Sequence, residues 1–236
     1  MHLAFHHSVG KQLSEPELNE DYSRPKQLFS KGPFAVSDGA SESYDARTWS
    51  KLLVNLYIEC PRFDETWVQE AVKRYAETHN GLKLSWSQEA AFERGSFATL
   101  LSLHLTDDGS QVNVLAVGDS ISVLGEGDTF CYSFPYSSAD QFNARPLLIS
   151  TRADRNVELF NQDPTNFRIT WQLAGHRRPR ILAMTDALGA WLLTDPTGRF
   201  PILATLRSHA AFESLVESER LAGRMRRDDT TLLCLI

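Results

Sequence analysis

Aspartate residues recur in this sequence at the ends of short apolar runs that are typical of buried strands. They are Asp21, Asp38, Asp119, Asp186 and the adjacent pair Asp228 and Asp229. Each position alone is also typical of a turn or a helix N-terminus, where aspartate is common. If the strand ends meet in the fold, however, two carboxylates about 4 Å apart repel each other by roughly 4 kcal/mol at an effective dielectric constant near 20. A group of several carboxylates therefore needs cations in order to stay ionised.

The residues around these aspartates limit the kind of cation. No Cys or His stands beside them in the sequence, so the donor atoms are oxygens. Hard oxygen ligands favour Mg²⁺ or Mn²⁺ over zinc. Two such ions roughly 3.5 to 4 Å apart can activate a water and hold a phosphoryl group for in-line attack. The residues thus indicate metal-assisted hydrolysis of a phosphoester.

The elements that must position these aspartates alternate between strands and helices. Apolar and β-prone runs predict strands over 34–37, 97–105, 112–117, 121–124, 129–133, 167–173, 180–184 and 230–236. Helical periodicity predicts helices over 44–60, from 64 to about 80, over 187–193 and over 210–226. The segments 107–110 and 125–128 are typical of hairpin turns. Consecutive hairpins combined with helix pairs favour an α+β fold over a doubly wound parallel sheet.

Composition is that of an ordinary globular protein, with 236 residues of which 42% are hydrophobic and 23% charged. The sequence has no internal repeat, low-complexity tract or evident linker, so we expect one domain spanning 1–236. Its formal charge of −6 gives no overall attraction to nucleic acid or to an anionic membrane. Without a signal-peptide pattern or an 18-residue apolar run, a cytoplasmic protein is expected. Cys60, Cys131 and Cys234 are interpreted as buried thiols.

Six short motifs follow one another along almost the whole chain. They are Asn19-Glu20-Asp21, Ala35-Val-Ser-Asp-Gly39, Gly95-Ser-Phe-Ala-Thr99, Ala116-Val-Gly-Asp-Ser120, Ala183-Met-Thr-Asp186 and Arg227-Asp-Asp-Thr-Thr-Leu232. In this order and on these strand ends they resemble the metal-dependent type 2C serine/threonine protein phosphatases. The resemblance implies an α-β-β-α sandwich, in which two packed antiparallel sheets are flanked by helices and a two-metal site lies at one edge. The short connection between Asp21 and Asp38 suggests a bacterial member.

The same resemblance implies a role for each residue of the site. Asp38 would bridge both metals, and the carbonyl of Gly39 would bind the second. Asp186 and Asp228 would complete the first metal site. Asp21 would reach the second metal through or beside water, with Glu20 in support. Bacterial members often hold a third ion, for which Asp119 and Asp186 would be the ligands.

Two departures from the family pattern concern the substrate rather than the metals. The segment Ala40-Ser41-Glu42-Ser43 replaces the His-Gly-Gly or Met-Gly-Gly that follows Asp-Gly in many relatives. No histidine is therefore available there as general acid, and water, Glu42 or another residue would protonate the leaving group. The arginine that holds the substrate phosphate in relatives also has no clear counterpart. Lys11 lies in roughly that region and could bind phosphate as a point charge.

The sequence thus predicts a metal-dependent serine/threonine protein phosphatase with two Mg²⁺ or Mn²⁺ ions. Phosphoproteins would be its substrates, a cognate serine/threonine kinase its partner, and a monomer its state. Separate partners would supply regulation, because the compact chain leaves no room for a sensory extension. Two alternatives remain open: a pseudophosphatase that binds a phosphoprotein or kinase without turnover, and a phosphatase of small phosphoesters. Retention of the aspartates argues against the pseudophosphatase, whereas the departures argue mildly for it.

Overall fold

The computed structural model describes residues 1–25, 27–41 and 43–236. Its strands are β1 (Leu3–Val9), β2 (Tyr22–Arg24), β3 (Phe34–Ser37), β4 (Phe97–Ala98), β5 (Leu100–Leu105), β6 (Gln111–Val117), β7 (Ile121–Glu126), β8 (Thr129–Phe134), β9 (Ile149–Ser150), β10 (Arg168–Gln172), β11 (Pro179–Met184) and β12 (Thr230–Leu235). Its α-helices are α1 (Ala46–Glu59), α2 (Glu65–Thr78), α3 (Trp86–Arg94), α4 (Val157–Asn161), α5 (Asp186–Thr194), α6 (Pro196–Thr205) and α7 (His209–Leu221). Short 3₁₀ turns occur at Pro16–Leu18, Ala139–Asn143, Ala153–Asn156 and Pro164–Phe167.

Two antiparallel sheets form the centre of the molecule. One has the strand order β1-β12-β11-β7-β8, and the other has the order β10-β6-β5-β3-β2. A small additional pair joins β4 to β9. Helices cover the outer face of each sheet, with α5, α6 and α7 on the first and α1 and α2 on the second. This arrangement confirms the predicted α-β-β-α sandwich of α+β class.

The hydrophobic pattern of β12 shows why the layers stack in this order. All six of its residues are buried, because both faces of the strand are covered. Leu233 and Leu235 point into the core between the sheets, whereas Leu232 and Cys234 pack beneath the helices of the first sheet. Alternate side chains of a strand point to opposite faces, so a continuous apolar run is what a central strand requires.

Helix α1 is amphipathic in the way that the sequence predicts. Trp49, Leu53 and Val54 are buried against the second sheet, and the Trp49 indole Nε1 donates to the carbonyl of Ile149 at 2.8 Å. The Asp45 carboxylate caps the helix by accepting from the N–H of Thr48 at 3.3 Å. The first residue of α1, Ala46, packs against Gly39, so the helix lies directly beside the turn that carries Asp38.

Two of the differences between predicted and observed elements concern the candidate site. The helix predicted over 210–226 ends at Leu221, because Gly223 adopts a φ of +67° and the N–H of Arg224 turns back to the carbonyl of Glu219 at 2.9 Å. The strand predicted over 97–105 is divided at Thr99, whose N–H donates to the carbonyl of Asp38 at 2.9 Å. Both differences place backbone or side chains at the candidate site.

The three cysteines differ in their burial. Cys234 is buried as expected, whereas the expectation is wrong for Cys60, which is exposed just after α1, and for Cys131, which is only half-buried. Within the described residues, no helix combines the length and apolarity needed to span a membrane.

Candidate metal centre

Asp38 lies where β3 ends, and Thr99 fixes its backbone. The N–H of Asp38 donates to Thr99 Oγ1 at 2.9 Å, and the hydroxyl of Ser37 donates to the Thr99 carbonyl at 2.5 Å. Thr99 Oγ1 also lies 2.8 Å from the hydroxyl of Ser120, which follows Asp119. Thr99 therefore couples the turn after β3 to the turn between β6 and β7.

Gly39 is required by close packing against α1. A Cβ on Gly39 would lie 2.8 Å from the carbonyl oxygen of Ala46, the first residue of α1. Any larger residue would push the helix away from the strand end. The glycine thus keeps its own backbone, including the carbonyl beside Asp38, at the floor of a pocket of about 180 Å³.

The carboxylates of Asp38, Asp119, Asp186 and Asp228 line this pocket together. Burial, followed by the charges of Asp21 and Asp119, raises the pKa of Asp38 well above its usual value. Burial also raises the pKa of Asp119. Such shifts arise when like charges share a poorly solvated site. The structure therefore brings the predicted aspartates into one region.

Asp21 is buried close enough to Asp38 to affect its charge, and it carries an unpaired oxygen. Its Oδ2 accepts from the hydroxyl of Thr185 at 3.0 Å, whereas its buried Oδ1 has no hydrogen-bond partner within the described residues. Burial and the neighbouring charge of Asp229 raise the pKa of Asp21 to about 8. A buried carboxylate oxygen without a donor is costly, and a bound cation would remove that cost.

Asp186 and Asp228 share a cationic neighbour, Arg226. The Nη2 of Arg226 is ion-paired with Asp186 Oδ2, and its Nε lies 3.5 Å from Asp228 Oδ2. The Asp186 side chain is only 8% exposed, whereas that of Arg226 is 56% exposed and reaches in from the surface. The guanidinium thus partly neutralises these two carboxylates.

Two buried groups hold the chain on either side of β12. The Asp229 carboxylate accepts from the N–H groups of Lys11 and Glu20, each at 2.7 Å. The Arg220 guanidinium donates to the carbonyls of Gly10 and Asp228. Asp229, which is not among the residues that line the pocket, therefore positions the loop that leads to Asp21.

Lys11 and Glu20 form the rim of the pocket. Lys11 Nζ lies 3.0 Å from Glu20 Oε2 and 2.8 Å from the hydroxyl of Ser41, which itself lines the pocket. Lys11 is thus close enough to meet a ligand in the pocket, although Glu20 and Ser41 now hold its ammonium group. Glu42, the neighbour of Ser41, lies outside the described residues.

The aspartates offer oxygen donors of the kind that hard divalent ions prefer. In this structure, however, their side chains contact other groups. Throughout residues 1–25, 27–41 and 43–236, no three His, Cys, Asp or Glu side chains are arranged to hold a metal ion as they stand. The carboxylates point instead to Arg226, to Thr185 and to backbone N–H groups. Their burial and the orphaned Asp21 oxygen nevertheless match what Mg²⁺ or Mn²⁺ would neutralise.

Solved structures share this architecture along almost the entire chain. No protein-family model matches the sequence, and no curated protein matches it. The serine/threonine phosphatase PstP of Mycobacterium tuberculosis superposes with a TM-score of 0.63 at 15% identity, covering 99% of this chain and 98% of that one. The chain has the type 2C phosphatase fold.

Further structures with the type 2C fold extend the comparison. PppA of Pseudomonas aeruginosa, described as a key regulatory component of T6SS, gives a TM-score of 0.54 at 18% identity, covering 99% of this chain and 98% of that chain. The catalytic domain of PstP in complex with two manganese ions gives a TM-score of 0.57 at 16% identity, covering 99% and 97%. The manganese ions belong to that structure.

Three residues that organise the candidate site were not predicted from the sequence to do so. Asp229 was grouped with Asp228, although its carboxylate holds the Lys11–Glu20 backbone. No role was predicted for Arg226, which pairs with Asp186, or for Arg220, which donates to the carbonyl of Gly10. The one available signal was the position of Arg226 two residues before Asp228, which puts it on the same turn.

Proposed function

We propose that this protein is a metal-dependent phosphatase that hydrolyses phosphoserine or phosphothreonine in proteins. The observation that carries the proposal is the clustering of Asp38, Asp119, Asp186 and Asp228 around one pocket, with Asp21 buried near Asp38. The type 2C fold supports the same activity, because solved serine/threonine phosphatases share it.

In this proposal Asp38 would contribute a ligand to each of two metal sites. Asp21, assisted by Glu20, and the Gly39 carbonyl would hold one ion, and Asp186 with Asp228 would hold the other. Asp119 and Asp186 would serve a third ion where one is bound. When bound, Mg²⁺ or Mn²⁺ supplies an activated water and neutralises the phosphoryl oxygens for in-line displacement.

The chain's own cations would orient the substrate phosphate. Arg226 reaches the pocket from the surface through a flexible side chain, and its planar guanidinium can form paired hydrogen bonds to phosphate oxygens. Lys11 lies beside Ser41 at the rim of the pocket, where Ser41 and Glu20 hold its ammonium group. Both side chains would exchange a carboxylate partner for the phosphoryl group.

The test compares p-nitrophenyl phosphate with a phosphothreonine peptide, each with Mn²⁺ and with chelator. We expect turnover of both that needs the metal and falls by at least about 100-fold in Asp38→Asn and Asp186→Asn. Asp107→Asn is the matched control, because Asp107 is an exposed aspartate at the far end of β5. Equal turnover in chelator and Mn²⁺ would contradict the proposal.

The pseudophosphatase alternative has one specific observation in its favour. Arg226 pairs with Asp186 and lies near Asp228, so a cation of the chain itself already balances the first metal site. A binding module of this kind would hold a phosphopeptide without turnover and without a metal requirement. Phosphopeptide binding in chelator with no hydrolysis in Mn²⁺ would favour it over the enzyme.

A further inference from the structure

A second, larger cavity opens directly from the candidate metal pocket. Its volume is about 800 Å³, against about 180 Å³ for the pocket itself. Ala40, Ser41, Pro146 and Leu148 line both, so the two spaces are continuous. Clefts that hold organic ligands usually measure roughly 300–1,000 Å³, so the larger cavity can take a segment of extended peptide.

The larger cavity is lined in part by Arg94, Arg145, Arg155, Leu147 and Glu158. We call it the arginine groove, after its three arginines. Arg94 ends α3, Arg145 lies in the segment before β9, and Arg155 lies in the 3₁₀ turn before α4. The three cations therefore come from three separate elements. Among the described lining residues, Glu158 is the one carboxylate.

Among the described residues, few carboxylates lie close enough to these three arginines to neutralise their positive charge. In the described part of the chain, neither Arg94 nor Arg145 has a carboxylate within ion-pair distance. Arg155 has only Asp154 at 3.8 Å, and both of those side chains are largely exposed. A cationic groove on a chain with a formal charge of −6 is a local departure from the overall charge.

Backbone hydrogen bonds connect the segments that line the groove. The N–H of Ala40 donates to the carbonyl of Phe97 at 2.9 Å, and the N–H of Thr151 donates to the carbonyl of Ser96 at 3.0 Å. The pairing of β4 with β9 ties the two walls together. The groove is thus a preformed surface, which lowers the entropic cost of binding a peptide.

We infer that the arginine groove binds acidic residues that flank the phosphorylated residue of a protein substrate, and so sets a preference for acidic phosphopeptides. The inference deepens the proposed phosphatase function and rests on it for the identity of the phosphorylated residue. With the phosphoryl group in the metal pocket, the peptide continues past Ser41 and Pro146 into the groove. Aspartate or glutamate side chains there meet the guanidinium groups of Arg94 and Arg145.

The first experiment needs no turnover. Fluorescence anisotropy measures binding of an unphosphorylated peptide with several glutamates, in chelator, against a peptide in which alanine replaces them. The acidic peptide should bind about threefold to tenfold more tightly, and Arg94→Gln and Arg145→Gln should each remove most of that difference. Arg145→Lys keeps the charge and should retain it. Arg177→Gln, an exposed arginine outside the groove, is the matched control.

Glu158→Gln should change the affinity for the acidic peptide in the opposite direction from the arginine variants. Removing the carboxylate of the groove should tighten binding of the acidic peptide, by about twofold to threefold. This variant separates electrostatics from loss of folding, since an unfolded variant could not bind more tightly. Weaker or unaltered binding in Glu158→Gln, together with unaltered binding in Arg145→Gln, would overturn the inference.

The second experiment compares phosphothreonine peptides with glutamate, alanine or lysine neighbours in Mn²⁺. The ratio of kcat/KM for the acidic to the neutral peptide should exceed one in the wild type and fall towards one in Arg94→Gln and Arg145→Gln.

If p-nitrophenyl phosphate is hydrolysed but this ratio is one, the groove inference is wrong and the proposed function stands. If nothing is hydrolysed yet the arginines bind the acidic peptide, the groove stands and the proposed function fails. Arginine-dependent binding of a single-stranded oligonucleotide but of no acidic peptide would overturn the inference.

Discussion

The guanidinium of Arg226 is ion-paired with the buried carboxylate of Asp186. The cation comes from the turn after α7, and the carboxylate from the first residue of α5. Since Arg226 Nε also lies 3.5 Å from Asp228 Oδ2, one side chain covers both predicted ligands of the first metal ion. A divalent ion at that site must displace it.

Arg226→Ala should therefore strengthen metal binding. Without the guanidinium, the ion no longer competes for Asp186 and Asp228, and we expect Mn²⁺ affinity to rise by about threefold to tenfold, a modest factor because Arg226 is 56% exposed. Isothermal titration calorimetry measures it, and Arg227→Ala, an exposed neighbour, is the control. Weaker Mn²⁺ binding in Arg226→Ala would show that the arginine does not compete with the ion.

Asp38→Asn should stabilise the metal-free protein. The amide keeps the shape of the side chain and replaces a carboxyl group whose charged form is disfavoured by burial and then by the charges of Asp21 and Asp119. We expect the free energy of unfolding in chelator to increase by about 1–2 kcal/mol, well below the roughly 4 kcal/mol of one close pair because the side chain is partly exposed. Urea denaturation measures it, with Asp107→Asn as control. A destabilised variant would mean that Asp38 is not under repulsion.

Metal binding should raise the unfolding temperature. An ion at about 100 times its dissociation constant adds about 2.7 kcal/mol of stability. For a chain of this size that corresponds to roughly 5–10 °C. Differential scanning calorimetry with Mn²⁺ and with chelator measures the shift, which should be lost in Asp186→Asn. A shift of the same size in Asp186→Asn would assign the ion to another place.

Asp229→Ala should destabilise the protein and loosen the loop beside the site. The substitution leaves the N–H groups of Lys11 and Glu20 without their acceptor at a position where Asp229 is 2% exposed. Two charge-assisted hydrogen bonds of this kind contribute about 3–5 kcal/mol together. Chemical denaturation measures the loss, and hydrogen exchange at Lys11 and Glu20 should become faster. Unchanged exchange at both residues would contradict the positioning role.

Glu219 should make stability depend on pH in the acid range. Arg224 donates to Glu219 through Nε at 2.8 Å and Nη2 at 2.6 Å, and Trp191 Nε1 donates at 2.8 Å. Chiefly through Arg224, these bonds lower the pKa of Glu219 to about 2 from a usual value of 4.5. Because the folded pKa is the lower one, the stabilisation is complete above about pH 4.5 and is lost as pH falls towards about 2.

The variant Glu219→Gln tests this pH dependence. At pH 7 it should lower the free energy of unfolding by about 1–2 kcal/mol, a reduced figure because Arg224 is 55% exposed. The difference from wild type should shrink between about pH 4.5 and pH 2. Urea denaturation across that range measures it, with Glu213→Gln on the same helix as control. A constant difference down to pH 2 would contradict the assignment.

Much of the fold could be predicted because its layers impose local patterns. β12 is apolar at every position since both of its faces are covered, and α1 shows a helical period since only one of its faces is. Helix α6 escaped prediction because Pro201 lies inside it, where proline normally ends a helix. Burial of Phe200 and Leu203 beneath the first sheet holds that helix nevertheless.

The aspartates could be found from sequence because each one stands at a strand end, which is a local feature. What each side chain contacts depends on segments far apart in the chain. Asp229 binds the backbone about 210 residues earlier, at Lys11 and Glu20, and no spacing rule reports that contact. Arg226 depends on the turn at Gly223, which ends α7 earlier than periodicity alone indicates.

We propose that these aspartates hold divalent ions in one pocket, and diffraction from a crystal soaked in Mn²⁺, recorded near the manganese absorption edge, would locate the ions. We expect anomalous peaks between Asp38 and the carboxylates of Asp21, Asp186 and Asp228, with Arg226 moved away from Asp186. Peaks that lie only elsewhere, or a soaked crystal with Arg226 still paired to Asp186 and no peak beside Asp38, would contradict it.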